Sequence, residues 1–417
     1  MSPTEPKAGG PPGDEPSLRK TFRAAGHLVD SGIMKEILDT IVREGGRFAI
    51  SRFDMGRTNE DASRLEAELT APSAAALDRI VRRLTDLGVE IDAARRARLE
   101  PAPADGVAPR DFYATTNHET QVNLEAGFVP VEGIRMDGVI VVREGGRRAM
   151  CVRPRDLIRG DPVVVGLEVI KVAPEFIERD RSEFAFMTSD VSSERVVRVA
   201  AERVAAILRD RSRRVVAVAG PVVVHTGGAE PFCRLIAAGH VHALLAGNAL
   251  AVHDIESQLY ATSLGLDVAT GAAVEGGHSH HLRAINEVRR AGSIAALIAE
   301  GTLRGGIMHA ALRAGIPIAL AGSIRDDGPL PETITDMNRA QEEYARILEG
   351  ADVCLMLSSM LHSIACGNMI PARVLTVCVD IHPPVVTKLR DRGSHQTIGV
   401  VTDVGLFLHL LAERLCG

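Results

Sequence analysis

Lysine is almost absent from this chain. Lys7, Lys20, Lys35, Lys171 and Lys388 are the only ones among 48 basic residues, the rest being arginine. A Schiff-base mechanism therefore has few candidates, and only Lys171 and Lys388 fall near plausible active regions. Cysteine is also sparse, and the six (Cys151, Cys233, Cys354, Cys366, Cys378, Cys416) form no C-x-x-C pair. Most sit inside apolar runs such as VCLML and LTVCVD, which is the pattern of buried thiols in a reducing cytoplasm. No apolar run is long enough to cross a bilayer, and the opening MSPTEPKAGGPPGDEPS is the opposite of a signal peptide. A cytoplasmic protein with a disordered tail is expected. The net charge of -6 leaves no basic excess to neutralise phosphates, which argues against a nucleic-acid binder. Finally, neither G-x-G-x-x-G nor G-x-x-x-x-G-K-[ST] occurs, so a standard Rossmann fingerprint and a Walker loop are both excluded.

What is present divides by texture. A chain of 417 residues is too long for one core. After the tail, 1–16, the segment 17–109 mixes short strands (RFAISRF, LEAELTA) with one clear amphipathic helix, SAAALDRIVRRLTDLG. Ser73 is its expected N-cap and Gly88 its stop. This reads as a small α+β domain ending in the linker-like PAPADGVAP. Segment 110–188 is β-rich: QVNL, GVIVVREGGRRAMCV with Gly145 and Gly146 as a hairpin turn, and DPVVVGLEVI. From 189 to 417, apolar strands alternate with helices. RVVAVAGPVVVH, VHALLAG, PIALAG, DVCLMLS, VLTVCVD and TIGVVTD are the candidate strands. Strands so uniformly apolar are buried on both faces, which predicts a doubly wound parallel sheet covered by helices.

Open parallel sheets bind ligands at the carboxyl ends of their strands. Small polar residues and acids recur there: Asn248 and Ala249 after VHALLAG; Ser323, Asp326 and Asp327 after PIALAG; Ser358, Ser359, Met360, Leu361 and His362 after DVCLML. Asp380 follows VLTVCV, and Thr402, Asp403 and Val404 follow TIGVV. Any one of these is an ordinary turn or N-cap residue. Five consecutive strand ends with this chemistry suggest a dinucleotide site on an atypical Rossmann-like sheet. An acid such as Asp380 suits a ribose diol, and VVVHTGGAEP reads as a strand whose Gly227-Gly228 pair opens a helix for an anion.

The order GNALAVHDIE, GGHSHHLRAINEV, SIRDDGPLPE, SSMLHSIACGNM, VCVDIHP and VTDVG resembles the archaeal-type, NAD-dependent ornithine cyclodeaminases. The same region forms the C-terminal half of the cyanobacterial bifunctional arginine dihydrolase/ornithine cyclodeaminases. RFDMGRTNEDASRLEAEL, FYATTNHETQV and GIRMDGVIVV look like the segment named for lysine-oxoglutarate reductase/saccharopine dehydrogenase. The resemblance covers about residues 20 to 412. It implies NAD contacts at Asn248, Ala249, Asp327, Ser359, Met360, Leu361, His362, Asp380, Asp403 and Val404, and a small amino-acid substrate. Arginine dihydrolase activity is not expected, since the separate N-terminal hydrolase domain of the cyanobacterial enzymes has no counterpart here. A homo-oligomer is expected. The implied chemistry is a closed redox cycle on L-ornithine yielding L-proline and ammonia, and it needs a base with a pKa near neutrality.

EGGHSHHLRAINEV bears on that base. His278 and His281 stand three apart at the start of a helix read as 279–291, with Glu275 upstream. Zinc ligation, plain helix-start polarity, and substrate or proton handling are all open to such a cluster. The implied reaction needs no Lewis acid, so His278 and His281 are taken as acid/base and orienting groups and no metal is expected. Two other functions fit the same cofactor site: a net amino-acid dehydrogenase of the saccharopine type, and a non-catalytic sensor of NAD and an amino acid.

Overall fold

The computed structural model describes residues 18–417 apart from 27, 30–31, 57–62, 92–95, 174–193, 265, 268–273, 275–278, 327 and 393–396. Two compact units separate, one formed by residues 1–134 and 138–176, the other by 135–137 and 177–417.

The first unit carries two sheets. Strands β1 (Arg19–Gly26), β2 (Arg47–Asp54), β3 (Ser63–Thr70) and β4 (Glu90–Ile91) form an antiparallel sheet in the order β2-β3-β1-β4. Alternate residues of β3 (Leu65, Ala67, Leu69) are buried, as expected of a sheet with one face on a core. That face packs on α1 (Ile33–Arg43) and α2 (Ala74–Asp86) through Ile37, Ile41, Ile80 and Leu84. The Ser73 hydroxyl accepts from the Ala76 amide, so the expected N-cap is in place. α1 was not anticipated from the sequence.

The second sheet has seven strands: β5 (Arg98–Pro101), β6 (Glu119–Leu124), β7 (Gly127–Glu132), β8 (Val139–Arg143), β9 (Arg148–Val152), β10 (Pro162–Val165) and β11 (Ile170–Ala173). Their order is β11-β6-β7-β9-β8-β10-β5. The β8–β9 hairpin turns through Gly145 and Gly146 with φ of 64° and 94°, a region open to glycine at little steric cost. β5 pairs with β10, so the strand at 98–101, which the sequence reading grouped with the α+β segment, is part of the β-rich sheet.

The second unit is a parallel sheet of β12 (Val215–Ala219), β13 (Ala243–Gly247), β16 (Ile318–Ala321), β17 (Thr333–Ile334), β18 (Val353–Leu357), β19 (Leu375–Asp380) and β20 (Thr397–Val401). A small antiparallel pair, β14 (Thr262–Ser263) and β15 (Leu266–Asp267), lies outside it. The order β17-β16-β13-β12-β18-β19-β20 is doubly wound, reversing direction between β12 and β18. Val215, Ala217 and Ala219 of β12 face one apolar core, and Val216 and Val218 face the other. This explains the unbroken apolar runs: each strand is covered on both sides.

The helices over the first core are α3 (Glu194–Leu208), α4 (Val222–His225), α5 (Ala229–Ala237), α6 (Asn248–Tyr260), α7 (His280–Ala291), α8 (Ile294–Ala299), α9 (Ile307–Arg313) and α13 (Val404–Cys416). Over the second lie α10 (Met337–Leu348), α11 (Met360–Met369) and α12 (Pro383–Arg392). PVVVH does not continue the strand: β12 ends at Ala219, and Val222–His225 is a helical turn after Pro221. Proline fixes a φ suited to a helix start and cannot donate to a ladder, so it ends the strand.

α6 holds two interior charges, Asp254 and Glu256, both fully buried. Asp254 reaches α9, whose N-cap Gly306 (φ 92°) has no side chain to offer. Its two carboxylate oxygens accept from the Ile307 and Met308 amides, each at 2.8 Å. Those amides are donors every helix start leaves unpaired. Burial nevertheless pushes the Asp254 carboxyl up to about 6. A raised folded-state value favours the protonated fold, so this contribution to stability is full below the unfolded value near 3.8 and is lost as pH rises through about 6. Asp254→Ala should lower unfolding free energy by roughly 2–4 kcal/mol in urea titrations at pH 7, because two buried amides lose their acceptor. Asp254→Asn should lack the wild-type loss of stability between pH 4 and 6. An unchanged slope would mean that Asp254 is not its source.

Candidate cofactor cleft and imidazole cluster

The carboxyl ends of the parallel strands are drawn together by close backbone contacts. The Gly220 amide donates to the Leu357 carbonyl at 2.9 Å, joining β12 to β18 at the switch point. A Cβ on Gly220 would stand 2.0 Å from the Ser358 carbonyl oxygen, so only glycine fits. Ser358 adopts φ 45°, a left-handed conformation that costs a non-glycine residue about 1–3 kcal/mol. Its amide donates to the Val379 carbonyl at 2.9 Å, which extends the contact to β19. A Cβ on Gly405, after β20, would lie 2.2 Å from the Thr226 carbonyl oxygen, and one on Gly247, ending β13, 2.8 Å from the His362 ring. Helices α6, α11 and α13 all start directly at this edge, so their unpaired amides and positive dipole ends gather there.

The residues singled out at the strand ends occupy this one edge. Asn248 opens α6 and is buried, its Oδ1 accepting from the Leu330 amide (3.0 Å) and the Thr333 hydroxyl (2.9 Å). Ala249 follows it. Ser359 caps α11 and is buried, with its Oγ 3.1 Å from Nδ1 of His362. Burial pushes the His362 imidazole down, against an opposing pull from Asp326. Met360 and Leu361, in the first turn of α11, are exposed. Asp380 ends β19, 7% exposed; its Oδ1 accepts from the His382 amide at 2.8 Å. Its Oδ2 has no hydrogen-bond partner among the described residues. Asp403 caps α13, its Oδ1 accepting from the Leu406 amide at 2.9 Å, and Val404 is buried behind it. Asp327, Glu275 and His278 lie outside the described residues.

His281 sits in the first turn of α7, which begins at His280, one residue later than the sequence predicts. It belongs to a cluster that the sequence reading did not assemble. The His253 ring on α6 lies 5.0 Å, centroid to centroid and edge-on, from His225 at the end of α4, and 6.4 Å from His281. Nδ1 of His253 is 2.8 Å from Oε2 of the fully buried Glu256. The buried Thr262 hydroxyl lies 3.0 Å from the other Glu256 oxygen and 2.8 Å from Nδ1 of His280. The His280 ring stacks on Tyr260, and Nδ1 of His225 is 2.6 Å from the Ser263 hydroxyl. Burial, with His253 nearby and Glu256 opposing, brings the His225 imidazole down to about 4. It is neutral at physiological pH. Among the described residues no group of three His, Cys, Asp or Glu is arranged to hold a metal ion.

Comparison with known proteins places this architecture. The family described as arginine dihydrolase ArgZ-like, C-terminal, Rossmann fold matches residues 198–411. The ArgZ-like C-terminal first region matches 119–201, and the LOR/SDH bifunctional enzyme conserved region matches 19–118. The chain is 50% identical over 406 residues to the bifunctional arginine dihydrolase/ornithine cyclodeaminase AgrE of Nostoc sp., covering 95% of this chain and 58% of that protein. It thus spans little more than half of that relative. It is 46% identical over 399 residues to the ornithine cyclodeaminase of Methanocaldococcus jannaschii, covering 94% of both. Among solved structures, cyanobacterial apo ArgZ, an arginine dihydrolase, superposes with a TM-score of 0.81 at 42% identity, over 95% of this chain and 58% of that one. The ternary complex of AgrE with ornithine and NAD+ matches at 49% identity and TM-score 0.52, over 95% and 57%. With nearly full-length identity of 46% to an archaeal member, the chain belongs to the archaeal-type ornithine cyclodeaminases of the LOR/SDH-region family.

Proposed function

We propose that this protein is an NAD-dependent ammonia-lyase that converts L-ornithine to L-proline and ammonia, working as a cytoplasmic homo-oligomer. The observation that supports this most is the conjunction, in one unit, of a polar carboxyl edge on a doubly wound sheet with a half-buried imidazole cluster on α4, α6 and α7, of which α4 and α6 follow strands of that edge. The first is the chemistry of a dinucleotide site, the second that of proton transfer.

The edge residues fit NAD. Oδ2 of Asp380 is an acceptor in a nearly closed position, suited to a ribose hydroxyl. The Gly220–Ser358 contact removes side-chain bulk where the chain reverses, and the amides at the starts of α6, α11 and α13 suit the pyrophosphate. Asn248, Ala249, Asp327, Ser359, Met360, Leu361, His362, Asp403 and Val404 would complete the contacts. When bound, NAD supplies a hydride acceptor at Cα of ornithine and returns that hydride once the amine has exchanged. The chain's own work is to orient the amino acid, exclude water and move protons, and we assign His278 and His281 to that substrate end.

Two outcomes follow. Asp380→Ala should weaken NAD binding by roughly 5- to 150-fold, on the order of 1–3 kcal/mol, in calorimetric titration of a folded variant. Unchanged affinity would remove Asp380 from the site. Ornithine carrying 15N at the α-amine should release the label as ammonia, and a δ-amine label should appear in proline. Release of the δ-nitrogen would exclude a cyclodeaminase, and a steady rise in NADH with ornithine would indicate a net dehydrogenase.

A further inference from the structure

The stripe Ala249, His253, Glu256 and Tyr260 recurs at intervals of four, three and four, so these residues share one face of α6. The opposite face, through Leu250, Ala251 and Ile255, is packed into the core. A helix with a second inward face made of His, Glu and Tyr is unusual. Burying a carboxylate costs several kcal/mol unless it is paired and bonded. The His253 ring and the Thr262 hydroxyl both bond to Glu256.

Donor accounting fixes how the protons lie. A carboxylate only accepts, so Nδ1 of His253 carries a hydrogen toward Glu256. The single Thr262 hydroxyl hydrogen goes to the other oxygen, so Nδ1 of His280 must donate to Thr262. Nε2 of His253 is left as the acceptor nitrogen, and it has no hydrogen-bond partner among the described residues. The carboxylate thus sets both the tautomer and the ring orientation. His253 stands one turn, about 6 Å, along α6 from Ala249, which is proposed above to touch the cofactor.

We infer that His253 is a catalytic residue of the amine exchange, and that Glu256, with Thr262, is its positioning residue. The inference rests on the cyclodeaminase reading. After the δ-amine has bonded to Cα, the ring nitrogen is a charged NH2 group and the α-nitrogen a neutral NH2 on the same carbon. Nε2 of His253 takes a proton from the ring nitrogen and passes it to the α-nitrogen. The Cα–Nα bond then breaks with its electron pair leaving on ammonia, while the ring-nitrogen lone pair closes the C=N bond. Charge and protons balance, and His253 ends as it began.

The test compares wild type, His253→Ala, Glu256→Gln and Thr262→Val for proline formation from ornithine, with NAD affinity as the readout of an intact fold. His253→Ala should lose roughly 100- to 10,000-fold in kcat with KM changed little, and added imidazole should restore part of it. Glu256→Gln should lower kcat with KM changed little, as expected of a residue that positions the imidazole and does not bind substrate. Thr262→Val should show a smaller loss in the same direction. Wild type forming proline while a folded His253→Ala keeps its kcat, or while its loss resists imidazole, overturns the dyad and leaves the reaction standing. Wild type forming no proline removes the reading on which the dyad rests. A Glu256→Gln variant that fails to bind NAD leaves the decision to the imidazole rescue.

Discussion

The contact between Gly220 and the Ser358 carbonyl is the constraint on which the rest of the carboxyl edge depends. It brings the end of β12 within backbone distance of the end of β18, where the winding of the sheet reverses. Any Cβ at 220 would push these ends apart, and Ser358 is held in a left-handed conformation to keep them together. Strain of this kind persists only where the surroundings over-determine it. Here the surroundings are the Gly220–Leu357 and Ser358–Val379 hydrogen bonds and the apolar strands beneath them. From this fixed point Ser359 starts α11, His362 reaches back to Gly247, and the start of α6 is set.

Much of this was legible in the sequence because buried parallel strands have only one way to look. VCLML and LTVCV could be placed from their uniform apolarity, and the polar residues after them then had to lie at one edge. VVVH reads as a strand for the same reason, and the structure makes it a helical turn. Its β-branched residues suit a strand, and local propensity could not reveal that Gly220 must turn the chain before Pro221 starts a helix. The imidazole cluster escaped because it draws on three elements. His225, His253 and His281 lie 28 residues apart each and are neighbours only once α4, α6 and α7 pack. The available signal is the spacing of His253 and Glu256 behind Ala249, which puts all three on one face of a helix.

α6 also shows how one helix can use two buried acids for different ends. Asp254 turns toward α9 and pairs with backbone amides, a structural use that persists at some cost in desolvation. Glu256, two residues later and on another face, pairs with an imidazole and a hydroxyl. Position along the helix separates them by 200°, which is why charges two residues apart do not meet in a shared contact.

A recycled hydride is the central claim about the carboxyl edge, and the fate of hydrogen at Cα tests it most directly. Ornithine deuterated at Cα should be turned over with unlabelled NAD+ in ordinary water and the proline examined by mass spectrometry. Deuterium kept in the proline, with no NADH accumulating, is the expected result, since hydride leaves and returns to the same carbon without meeting solvent. Proline lacking the label, or label appearing in released NADH, would contradict a cofactor that stays in place through the cycle.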